Sequence, residues 1–119
     1  MPFKSILTDL VKSVPGANGA VLADWEGESV ELCCLSDDFE LKVIGAHKGI
    51  ILNRMKEIHA RFPAGEVQEA VISTATHHII IGTVGPDYSL VMILDRCAVV
   101  GLARQRFRNS VKLLEKEIY

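Results

Sequence analysis

Three strand-length segments packed between residues 67 and 94 constrain this chain more than any other feature. "VQEAVIST" (67–74) alternates loosely, "HIIIGTV" (78–84) is nearly all apolar, and "YSLVMIL" (88–94) follows after a "GPD" turn. Strands joined by connections this short pair antiparallel, because a parallel crossover needs a dozen or more residues. The last third of the chain is therefore committed to an antiparallel sheet, and the other segments must join it or cover it.

A second pair of runs lies upstream. "GAVLADW" (19–25) and "SVELCCL" (29–35) read as strands, with "EGE" between them as a hairpin turn in which Gly27 is free to take positive φ. Three segments carry helical spacing instead. In residues 3–14, Phe3, Ile6, Leu7, Leu10, Val11 and Val14 recur on one face, and Pro15-Gly16 ends the helix. Residues 39–62 form the longest helical candidate. Asp37 or Asp38 can cap it, Ile44, Ile51, Met55, Ile58 and Phe62 form its stripe, and Pro63 and Gly65 stop it. Residues 98–118 return to helical spacing through Ala103, Phe107, Val111, Leu114 and Ile118. The order is helix, two strands, helix, three strands, helix. It implies an α+β domain with helices on both faces of one sheet. With 119 residues and no linker, repeat or low-complexity segment, a single domain over 1–119 is expected.

Composition narrows the function classes. The formal net charge of −2 lacks the basic footprint of a general nucleic-acid binder. No uncharged apolar run approaches the ~20 residues of a membrane span, and "MPFKSILTDL" lacks a signal peptide's pattern. A cytoplasmic protein without membrane insertion is expected. Mean hydropathy of +0.24 is somewhat high for a short chain, as when apolar surface is buried against a partner. Cys33 and Cys34 are adjacent and Cys97 is distant, which is no disulfide framework. Neighbouring strand residues point to opposite faces, so Cys33 and Cys34 cannot readily grip one ion.

One feature of the middle helix points outward. Opposite its apolar stripe lie Lys42, Ala46, Gly49, Asn53, Lys56 and Ala60, with Gly45 and Ile50 at the margins. A solvated face would carry more long charged side chains. Each glycine costs about 0.5–1 kcal/mol relative to alanine in a helix interior. Small residues four apart let another backbone approach closely. The strand at 67–74 adds to this. It is the most polar of its three and suits a sheet edge, where its charges Glu66 and Glu69 sit early and "AVIST" is left to pair with another chain. A two-fold dimer joining this edge to its twin would bring the two middle helices together.

The chemistry of catalysis is thinly represented. Ser29, Ser36, Ser73 and Ser89 lack a nucleophile elbow, and there is no phosphate-binding G-x-x-x-x-G-K-[ST] loop. His47, His59, His77 and His78 show no converging metal-ligand spacing and read as boundary residues. Asp24 and Asp95 lie at strand ends, where turn or cap hydrogen bonds are expected. Arg104 and Arg108 share a helix face while Arg106 lies nearly opposite, and all three read as solvated arginines rather than a catalytic finger. No catalytic residue, metal or cofactor is expected.

"PGANGAVLADWEG" resembles the start of a roadblock / dynein light chain domain. "AGEVQEAVIST" is similar to that family's entry to strand three, "HHIIIGTVGPDYSLVMILDR" to its strands four and five, and "VVGLARQRFRNSVKLL" to its closing helix. The resemblance covers about residues 3–116, and order and spacing carry it. "GAHKG" departs from it, being Gly-rich and polar where the family is more apolar. The resemblance implies a profilin-like αββαβββα fold with a five-stranded antiparallel sheet of order 2-1-5-4-3. The first and last helices would lie on one face and the middle helix on the other. It implies a homodimer through strand three and the middle helix, which places Gly45, Ala46, Gly49, Ile50, Asn53, Ala70, Val71, Ile72, Ser73 and Thr74 at the interface. It also implies a non-catalytic regulator or scaffold of a Ras-like small GTPase. That GTPase would sit across the paired middle helices on Lys42, Ala46, Gly49, Lys56 and Ala60, and any GTPase-activating role would run through the partner's own active site. The alternatives are a small-molecule sensing module or a purely structural assembly protein.

Overall fold

The computed structural model of the chain describes residues 2–24, 28–35 and 68–119. The expected middle helix at 39–62 and the turn at Gly27 lie outside the described residues. The remaining elements appear in the expected order: α1 (Pro2–Ser13), β1 (Ala17–Asp24), β2 (Ser29–Cys34), β3 (Glu69–Ser73), β4 (His77–Val84), β5 (Tyr88–Asp95) and α2 (Val100–Ile118).

α1 stops where its sequence dictates. Ser13 Oγ donates to the Leu10 carbonyl at 3.0 Å and Ala17 N–H to the Val14 carbonyl at 3.1 Å. Gly16 makes the turn with φ of +89°, a left-handed value that costs a side chain dearly. A Cβ at Gly16 would also stand 3.0 Å from Ala98 Cβ, because the segment after β5 runs against this turn. The main chain closes that approach, with Asp95 N–H donating to the Gly16 carbonyl at 2.8 Å.

All strand pairs are antiparallel, and their order across the sheet is β2-β1-β5-β4-β3. The central strands β1, β5 and β4 are buried along most of their length, as their unbroken apolar runs require. The sheet therefore has two apolar faces. On the first, Leu22, Ile80, Leu90, Met92 and Leu94 pack with Leu7, Leu10 and Val14 of α1 and with Ala103, Phe107 and Leu114 of α2. The first and last helices thus share one face, as expected. On the second, Val21, Ile79, Ile81, Val91 and Ile93 form a separate buried cluster flanked by Leu32, Cys34 and Ile72. Cys33 packs with the first cluster and Cys34 with the second, so the adjacent thiols do point to opposite faces. None of the three cysteines forms a disulfide.

Candidate functional site

A sheet of this order ends in two edge strands, β2 and β3, and they differ in construction. The β3–β4 register runs without interruption from Glu69↔Gly82 to Ser73↔His78. Gln68 and Thr83 form a hydrogen-bonded pair at 2.9 Å, and so do Thr74 and His77 at 2.8 Å. Hydrogen-bonded and non-hydrogen-bonded pairs alternate along an antiparallel ladder. The backbone groups of Glu69, Val71 and Ser73 therefore face outward, away from β4.

This outer strand is fixed at both ends. At its start, Glu69 accepts from two guanidinium groups of α2. Arg104 Nη2 lies 2.6 Å from Oε1, and Arg108 Nε lies 3.0 Å from Oε2. The Glu69 side chain is 17% exposed. The Arg108 hydrogen bond holds its carboxyl below the usual carboxylate range. Partial burial opposes that shift and Arg104 adds to it. The same pairing pushes Arg108 above its ordinary value. At the other end, Ser73 Oγ meets His78 Nδ1 at 2.7 Å, and His78 Nε2 meets the Arg96 carbonyl at 3.0 Å. A main-chain carbonyl can only accept, so Nε2 donates in that contact; in a neutral ring Nδ1 then accepts and the Ser73 hydroxyl donates. Thr74 Oγ1 accepts from the N–H groups of His77 at 3.0 Å and Thr76 at 3.3 Å, which closes the hairpin.

β3 lies at the sheet edge, as its polarity leads one to expect, and carries Ala70, Val71, Ile72 and Ser73, with Thr74 just beyond it. Val71 is 38% exposed, and Ile72 leans into the second apolar cluster. Gly45, Ala46, Gly49, Ile50, Asn53, Lys42, Lys56 and Ala60 lie outside the described residues, as do His47 and His59. In the sequence Glu69 is only an early charge on its strand, yet it is the residue that ties the edge to α2. The i, i+4 spacing of Arg104 and Arg108 is a signal that could have found it, because two guanidiniums on one helix face invite a shared carboxylate. The Ser73–His78 contact had no local signal beyond hairpin register. Asp24 and Asp95 do make the expected end-of-strand hydrogen bonds: Asp24 Oδ1 accepts from Glu28 N–H at 3.0 Å, and Asp95 Oδ1 from Asn18 Nδ2 at 3.1 Å. Among the described residues no helix is long and apolar enough to cross a membrane, and no group of His, Cys, Asp and Glu could hold a metal ion.

Comparison with known proteins places these features in a family. In fold, the chain is similar to a Roadblock/LC7 domain from Streptomyces avermitilis, at 20% identity and a TM-score of 0.87, with 97% of this chain and 96% of that one covered. It is equally similar to Myxococcus xanthus MglB, at 18% identity and a TM-score of 0.89, with coverage of 99% and 95%. Acanthamoeba castellanii profilin IA shares the architecture at 10% identity and a TM-score of 0.64, covering 98% of this chain and 99% of that one, so the fold is profilin-like. No curated protein matches in sequence. The Roadblock/LC7 domain profile matches residues 4–94, from α1 to the penultimate residue of β5, and the chain therefore belongs to the Roadblock/LC7 domain family.

Proposed function

We propose that this chain is a cytoplasmic, single-domain, homodimeric regulator or scaffold of a Ras-like small GTPase and has no catalytic centre of its own. The observation that carries the reading is the uninterrupted register of β3, with the outward-facing backbone groups of Glu69, Val71 and Ser73. Such an edge is competent to accept a strand from a second copy. A two-fold pairing there would extend the sheet across the dimer and set two middle segments side by side. Ala70, Val71, Ile72, Ser73 and Thr74 would supply one half of the interface, and Gly45, Ala46, Gly49, Ile50 and Asn53 the other. The GTPase would then lie over Lys42, Ala46, Gly49, Lys56 and Ala60. Family membership and the likeness to MglB support this reading.

Any stimulation of hydrolysis would act by reshaping the GTPase's own loops. Supplying an arginine in trans would require a free guanidinium. Of the three arginines of α2, Arg104 and Arg108 are both engaged by Glu69.

Light scattering after gel filtration tests the dimer. A mass near twice 13.1 kDa is expected, and Val71→Asp should return the protein to a monomer, because it sets two like charges in the pairing edge. Gly49→Arg or Ala46→Glu should split the dimer or block its partner. Co-elution with a Ras-like GTPase loaded with a GTP analogue tests the partner. No complex at tens of micromolar would reject it.

A further inference from the structure

The other edge of the sheet, β2, is closed by its own chain. The β1–β2 register slips between Leu22 and Ala23, which pair with Glu31 and Ser29, so Val30 is the extra residue of a β-bulge. Leu35 N–H donates to the Asn18 carbonyl at 2.9 Å. By the alternation of the ladder, the backbone groups of Leu32 then face away from β1. Both are occupied. Leu32 N–H donates to Glu31 Oε1 at 3.1 Å, and the Leu32 carbonyl accepts from Lys4 Nζ of α1. The two clasping side chains are themselves 4.0 Å apart as an ion pair. A bulge and a lysine at an edge are the devices by which sheets refuse an added strand. β2 carries the bulge at Val30 and the lysine at Leu32, whereas β3 has a regular register.

We infer that the β2 edge is a latent self-association surface for a second copy of this chain, held shut by Lys4 and Glu31. The occupant follows from the strand's own chemistry. An antiparallel pairing centred on Leu32 sets Leu32 against its copy and Glu31 against Cys33, so the one charged residue of "SVELCC" never opposes itself. Apolar side chains left in solvent flank the clasp, Val30 at 45% exposure and Leu35 at 69%. Opening the clasp frees one N–H and one C=O at the centre of that strip. With β3 edges joined in a dimer, joined β2 edges would propagate the sheet into a linear chain of dimers. The clasp is thus what ends assembly. The inference rests on the dimer reading only for its starting mass.

The test compares wild type with Lys4→Ala/Glu31→Thr. This pair removes one charge of each sign, leaves the net charge unchanged, and places a strand-favouring residue at 31. Light scattering from about 1 to 100 µM should show constant mass for wild type and at least a doubling for the clasp variant. Adding Val30→Lys to that background should restore the wild-type mass by blunting the same edge. Unfolding curves and far-UV circular dichroism establish that the variants are folded. A folded clasp variant with wild-type mass overturns the inference, and so does growth that persists with Val30→Lys. If wild type proves monomeric, the dimer reading fails. The clasp is then read from a monomer-to-dimer shift in the same variants.

Discussion

At the scale of single residues, Gly82 shows how close the packing is between α2 and the sheet. A Cβ there would lie 2.5 Å from Phe107 Cε1, and Phe107 is 1% exposed, so its ring has nowhere to retreat. Gly82→Ala should therefore destabilise the protein by about 1–3 kcal/mol, read from urea unfolding, as overpacked cores do. Helical spacing identifies Phe107 as core, but no local pattern says which strand residue lies beneath its ring. Ser89 is a case of the opposite sign. Its hydroxyl is buried and has no hydrogen-bond partner among the described residues. Ser89→Ala removes an unsatisfied polar group and should be neutral or stabilising by up to about 1 kcal/mol in the same measurement.

At the scale of elements, the Glu69 tie makes the β3 edge depend on α2. A depressed folded-state carboxyl pKa contributes stability that is fully present above the unfolded value and is lost as pH falls through the folded one. Wild type should accordingly exceed Glu69→Gln by roughly 1 kcal/mol at pH 7. The gap should hold down to about pH 4.3, the ordinary glutamate value, and close below it. Thermal unfolding as a function of pH checks both the size and the direction. A wider gap in acid would mean that the carboxylate is not what the arginines hold. The elements themselves were legible because punctuation and periodicity agreed: Pro15-Gly16 ends α1, and "GPD" separates β4 from β5. Ends were less so. The strand expected over 67–74 spans Glu69–Ser73, and the helix expected from 98 begins at Val100, where the cap residue Val99 makes no side-chain hydrogen bond.

At the scale of the molecule, local spacing established an antiparallel sheet but not the order of its strands. Nothing in "GAVLADW" or "YSLVMIL" says that the two are neighbours, since pairing across the whole chain leaves no mark in a short window. The order 2-1-5-4-3 came from resemblance alone, and the observed sheet bears it out. The two edges illustrate the same limit. The polarity of β3 marked it as an edge. The closure of β2 requires Lys4 of α1 to reach Leu32, and this long-range contact has no short motif.

The strand order also bears on how the protein is made. β1 sits beside β5, with Ala17 paired to Leu94, so the middle of the sheet is built from the first strand to be synthesised and the last. A ribosome releases β1 long before its inner neighbour exists. Until β5 emerges, β1 can pair on one side only, with β2, and the apolar rows on both its faces have no finished core to enter. Closing so distant a contact is slow relative to forming local hairpins. A nascent chain halted before residue 88 lacks the strand that joins the two halves of the sheet, so those halves can meet only after β5 has been made.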